Sequence, residues 1–86
     1  MKNIEDVRGT KAARNILGKH GIDISQADVR VENGKCSIRG LLQVMRGYER
    51  EVTDVEKTVL HLCNIMKRKP EIRDVVLEAS YRNAAT

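Results

Sequence analysis

Three groups of side chains in this sequence carry chemistry at spacings that invite a function. Gly18, Lys19, His20 and Gly21 form a G-x-x-G tetrad after an apolar pair, and bare amides beside cations suit the gripping of a phosphate backbone. Lys67, Arg68 and Lys69 are consecutive cations, which reads as an anion contact. Cys36, Cys63, His20 and His61 are residue types that bind zinc or supply a thiolate nucleophile.

Each reading makes demands on its surroundings. Zinc ligands must converge, yet His61 and Cys63 stand two apart in a helical stretch and point in different directions, and no C-x-x-C spacing occurs. A nucleophilic Cys36 would have to leave the buried side of a hairpin. Serine-hydrolase, Walker and dinucleotide motifs are absent from the sequence. The expectation is therefore a non-enzymatic chain with no catalytic residue, no metal ligand and no cofactor.

Length and charge set further bounds. A chain of 86 residues makes one domain, which buries about 60–65% of its unfolded surface and leaves little room for a deep cleft. The hydrophobic fraction is 41% and the charged fraction 33%, with one Pro, so a folded globule is expected over a disordered one. The net charge is +4. Residues 1 to 50 hold ten Lys and Arg against six Asp and Glu, whereas residues 51 to 86 hold six of each. Acidic residues interleave with the basic ones throughout, unlike the one-sided stripe of a strongly electrostatic nucleic-acid binder.

The opening MKNIEDVRGTK has charges where a signal peptide needs an apolar run, and no apolar stretch is long enough to span a bilayer. A cytoplasmic location is the expectation, with Cys36 and Cys63 as buried thiols rather than a disulfide.

Ile4, Val7, Ala13, Ile16 and Leu17 recur near helical spacing, which predicts an amphipathic helix from about Ile4 to Lys19, weakened at Gly9. Its end gives the tetrad a plain structural reading. Lys19 and His20 suit the negative end of the helix dipole, and a glycine closes the helix in the left-handed region. A KH-type RNA clamp needs a second helix directly after the tetrad, and IDISQAD (residues 22 to 28) is too short and too rich in turn residues to supply one. These residues read as a flexible link.

DVRVENGKCSIRG is the most informative stretch. Asn33-Gly34 signals a two-residue type I′ turn, which sets Glu32 opposite Lys35, Val31 opposite Cys36, Arg30 opposite Ser37, Val29 opposite Ile38 and Asp28 opposite Arg39. One face is apolar and the other carries two opposite-charge pairs. Lys35 and Arg39 thus have acidic neighbours, and with Tyr48 and Tyr81 as the only aromatics the sheet lacks a platform for stacking bases.

Val52, Val55, Val59, Leu62, Cys63 and Met66 mark the stripe of a second helix that Pro70 ends. Thr53-x-x-Glu56 has the form of a capping box starting it near Asp54, while Tyr48 extends the stripe backward toward a start near Gly47. Lys67 to Lys69 then fall where cations offset the dipole, each contributing about 0.3–1 kcal/mol. After Pro70, Val75, Leu77, Ala79 and Tyr81 alternate with Val76, Glu78, Ser80 and Arg82 as a third strand. The fold class is α+β, order α-β-β-α-β, with two helices on the apolar face of a small three-stranded sheet.

DISQADVRVENGKCSIRG, VTDVEK and KPEIRDVVLEAS resemble the BON domain family in its strand, turn, strand and closing glycine (Gly40), the segment opening its second helix, and its proline, valine and final strand. The resemblance covers roughly residues 8 to 82. It departs from the family pattern by about ten extra residues after Gly40, LLQVMRGYER. These either lengthen the second strand and turn at Gly47, exposing an apolar edge, or form an early turn of the second helix.

The resemblance implies a binding module for proteins, membranes or phospholipids, with ligand or ion sensing in some members. The leading expectation is a binding or assembly module that contacts a protein partner or a second copy through an open sheet edge or through Leu41, Met45, Arg46 and Tyr48. The alternatives are a KH-like nucleic-acid binder using Arg14, Lys19, His20, Lys67, Arg68 and Lys69, and a binder of anionic lipid surfaces through the same cations. The small-molecule ligand, if there is one, is unspecified.

Overall fold

Helix α1 (Ile4–Lys19), strands β1 (Ile22–Glu32) and β2 (Lys35–Val44), helix α2 (Val55–Met66) and strand β3 (Asp74–Arg82) follow one another in a computed structural model that describes residues 4–84. The order is the expected α-β-β-α-β. Strand β2 is central, antiparallel to β1 and parallel to β3. A parallel neighbour needs a crossover, which α2 provides. Both β1 and β3 are therefore edge strands.

The hairpin adopts the register read from its turn, with Glu32 paired to Lys35, Val31 to Cys36, Val29 to Ile38 and Asp28 to Arg39. Asn33 and Gly34 both have positive φ, 51° and 79°, as a type I′ turn requires. Its inner face supplies Val29, Val31, Cys36 and Ile38 to a core completed by Leu17, Leu42, Val59, Leu62, Met66 and Ile72. Each fully buried Leu, Ile, Val or Met of that set contributes about 1.5–3 kcal/mol of transfer free energy.

Residues 22 to 28 are strand, not a flexible link. The pairing slips between Asp23 and Gln26, where β1 holds one residue more than β2. That bulge reverses the alternation, so Ile22 and Val29 are both buried although they lie seven apart. A strict two-residue period cannot be followed across it, which is why the start of β1 was hidden in the sequence.

The segment after Gly40 takes the first of its two expected forms. Strand β2 runs on to Val44, and the chain turns at Gly47, whose φ is +97°. It does not expose an apolar edge, because Leu42 and Val52 are buried and Tyr48 packs against the core. Helix α2 begins at Val55 with Asp54 as N-cap, its carboxylate accepting the Lys57 N–H at 3.2 Å. The cap is one residue later than the Thr53 capping box predicts.

In α1 the buried positions are Gly9, Ala13 and Leu17, while Ile4 and Val7 are exposed. Gly9 is where this helix meets the sheet. A Cβ there would lie 3.1 Å from Val31 Cγ1 and 3.3 Å from Glu71 Cβ, so the residue that lowers helix propensity is the one that permits close packing.

Candidate functional site

The G-x-x-G tetrad closes α1. The Gly21 N–H donates to Gly18 O at 3.1 Å, the His20 N–H to Leu17 O at 3.3 Å, and His20 Nδ1 lies 2.8 Å from Ile16 O. Gly21 has φ +85°, and a Cβ on it would fall 2.6 Å from the Tyr48 ring. Its carbonyl accepts the Met45 N–H at 2.8 Å. The strand β1 follows at once, in the place where a KH-type clamp has its second helix.

The basic residues of the nucleic-acid and lipid readings are divided. Lys19 and His20 adjoin Ile22, which pairs with Val44 at one end of the sheet, whereas Lys67 to Lys69 lead through Pro70 to Asp74, paired with Lys35 at the other. The eleven-residue β1 separates the two ends by roughly 30 Å or more at about 3.3 Å per residue. Arg14 is occupied, its Nε donating to Val29 O at 3.2 Å.

Of Leu41, Met45, Arg46 and Tyr48, Arg46 is exposed and the other three are half-buried. Tyr48 turns inward onto Gly21, Met45 is tied to Gly21 through its backbone, and Leu41 lies on the face opposite Leu42. Cys36 and Cys63 are free and buried. Burial, and to a lesser degree the neighbouring Cys63, pushes the Cys36 thiol up to about 11, and burial also raises Cys63. Such thiols are poor nucleophiles near neutral pH. Among the described residues no three His, Cys, Asp or Glu side chains group as a metal site would need.

The helix-free face of the sheet is a solvated, mixed-charge surface. Asp28, Arg30, Glu32, Lys35, Ser37 and Arg39 line a shallow depression of about 460 Å³. The pairings differ from those the register suggests: Asp28 bonds Arg30 along its own strand at 3.0 Å, and Arg39 reaches across to Glu78 of β3 at 3.5 Å. Both pairs are exposed and worth about 0–1 kcal/mol. Arg39 prefers β3 because β2 is central, so it has neighbours on both sides. The hairpin alone shows only one.

The two sheet edges are treated unequally. Along β1, three α1 side chains one turn apart take up outward backbone groups. The Asp6 carboxylate accepts the Asn33 and Gly34 N–H groups at 2.9 and 3.3 Å, the Thr10 hydroxyl accepts the Val31 N–H at 3.0 Å, and Arg14 donates to Val29 O. This is how proteins blunt an edge.

Strand β3 has no such cover. Among the described residues no side chain hydrogen-bonds to the backbone of residues 76–82. Its inner row, Val75, Leu77, Ala79 and Tyr81, is only half-buried, while Cys36, Ile38 and Leu42 beside it on β2 are fully buried. Glu56 and Cys63 of α2 lie close enough to Tyr81 to add to burial in raising its phenol pKa. On a helix Leu60 falls on the same flank, one turn beyond Glu56, and it is 50% exposed.

Asp74, Glu78 and Arg82 are the charges of β3, and all three are exposed. The strand contains neither Lys nor Pro, two common edge blockers. Nothing in the residues of β3 itself singles it out from β1 as the open edge. The signal lay in the polar residues Asp6, Thr10 and Arg14 at helical spacing, which mark α1 as the cover of β1.

No family model, curated protein or solved structure matches this chain. Among the described residues no helix is long and apolar enough to cross a membrane.

Proposed function

We propose that this chain is a small non-enzymatic protein-interaction module, of the kind its resemblance to BON domains implies, and that it binds through the free edge of β3 and the adjoining flank of α2. The observation that carries this reading is the contrast between edges: β1 is capped by Asp6, Thr10 and Arg14, and β3 is left with open backbone groups beside a half-buried apolar row. Backbone groups on an open edge supply affinity to an added strand, and the side chains flanking them supply selectivity.

Val75 shows which residues face outward. Its N–H goes to the Asp74 carboxylate at 2.9 Å, while the Asp74 N–H goes toward the β2 side, to Gly34 O at 3.3 Å. In a parallel ladder these roles alternate, so Leu77, Ala79 and Tyr81 also present N–H and C=O groups outward. Replacing Ala79 with Pro removes an outward donor without removing a β2 hydrogen bond.

The test is affinity capture from a lysate of the source organism with wild type, Ala79→Pro and Leu60→Lys, each first shown to fold by circular dichroism. A protein, whether a second copy or another chain, that wild type retains and both variants lose is the expected result. Equal retention by all three, or none by wild type, would overturn the reading.

A further inference from the structure

We propose that the occupant of this edge is a second copy of the chain, with the two β3 strands antiparallel about a two-fold axis at Glu78, so that Asp74 of each copy faces Arg82 of the other. The inference rests on the β3-edge reading above and names its partner.

The sequence of β3, DVVLEASYR, is complementary to its own reverse. With the full nine-residue strand paired on itself, Asp74 meets Arg82 at both ends. On the helix side, Val75 meets Tyr81 and Leu77 meets Ala79, setting a small residue against a large one each time. These helix-side pairs are the residues whose backbone groups face outward, as the hydrogen-bonded pairs of an antiparallel ladder must be. Sliding the register by two residues in either direction breaks both Asp74–Arg82 pairs, leaving Asp74 opposite Ser80 or Ala84.

At the axis the two Glu78 side chains oppose one another, which costs stability. Each already has Arg39 at 3.5 Å, so the centre holds alternating charge and not two bare carboxylates. A two-fold axis perpendicular to the sheet keeps all helices on one face. It brings the exposed Leu60 flanks of the two α2 helices toward each other above the half-buried rows, and the two sheets become one, with the covered β1 strands as its outer edges. That arrangement leaves no open edge for further pairing, which makes the assembly a closed pair and not a fibre.

Sedimentation equilibrium of the full chain at near-physiological salt, from about 1 to several hundred micromolar, tests this. The expected mass rises from 9.7 kDa toward twice that value. Asp74→Arg and Arg82→Asp should each weaken association about tenfold, since each puts like charges together at two symmetric places. The double variant should return to within about threefold of wild type, because only the named register exchanges those charges for one another.

Leu60→Lys, a half-exposed position that can change without loss of fold, should weaken association about tenfold and guards against a β3 variant that does not fold. A wild type that stays at 9.7 kDa, a double variant no tighter than the singles, or a Leu60→Lys chain that pairs like wild type would overturn the inference. If the chain is monomeric yet captures another protein through β3, the second copy is refuted and the interaction module stands. If capture also fails, both fall.

Discussion

The Thr10 hydroxyl accepts, at 3.0 Å, the N–H that Val31 turns away from the sheet, and donates in turn to the Asp6 carbonyl at 2.8 Å. Val31 is 3% exposed, so water cannot replace the hydroxyl. Thr10→Val keeps the shape and removes the acceptor, leaving a buried donor unpaired at a cost of about 1–3 kcal/mol. Urea unfolding should show that loss, with faster hydrogen exchange at the Val31 amide. Thr10→Ser should behave nearly as wild type.

The two glycines of the tetrad should respond with opposite signs. Gly18 lies in the last turn of α1 with open space around its Cβ position, so Gly18→Ala should stabilise by about 0.5–1 kcal/mol. Gly21, at φ +85° and against the Tyr48 ring, should lose about 2 kcal/mol or more as alanine, from the left-handed conformation and the contact together. For a domain of this size about 1 kcal/mol moves Tm by roughly 4–8 °C, so melting curves resolve both. Two losses of similar size would contradict the reading of Gly18 as an ordinary helical residue.

Capping at α2 separates two adjacent side chains. Asp54→Ala removes the acceptor for the Lys57 N–H and should cost about 1 kcal/mol, while the exposed Thr53 makes no such bond and Thr53→Ala should stay within about 0.5 kcal/mol. Chemical denaturation of the pair decides it. The reverse ranking would restore the capping box read from Thr53 and Glu56.

Alkaline pH should destabilise the fold. Burial holds Cys36 up at about 11 and raises Cys63 and Tyr81 as well, whereas an unfolded thiol ionises near 8.5. From about pH 8.5 to 11 the unfolded chain releases a Cys36 proton that the folded chain keeps. Stability therefore falls with rising pH, at up to about 1.4 kcal/mol per pH unit for each thiol. Urea midpoints measured from pH 7.5 to 10.5 should stay level at first and then drop, and Cys36→Ala should flatten the drop. An unchanged slope in that variant would show that Cys36 is not the group responsible.

Much of this fold was written locally. The Asn33-Gly34 turn sets the pairing of Val29 with Ile38 by chain geometry alone, and the apolar spacing from Ile4 to Leu17 marks a helix that ends at Lys19 as the structure has it. Residues 22 to 28 read as a link in the sequence because the bulge between Asp23 and Gln26 shifts the inward set by one position. The inward packing of Tyr48 is illegible for a similar reason, since Tyr48 has an inward place to go only once Gly21 stands opposite it.

The sequence by itself determined the order of elements, the hairpin register, the span of α1 and the apolar face of the hairpin from Val29 to Ile38 and of β3, because these follow from turn chemistry and from the periods of helix and strand. Only the tertiary structure decided that β2 is central, that Asp6, Thr10 and Arg14 of α1 close the β1 edge, and that β3 stays open beside Leu60. An edge is a property of how strands are ordered in space. Residues twenty or more apart, such as Thr10 and Val31, must meet before a backbone group is either covered or left free.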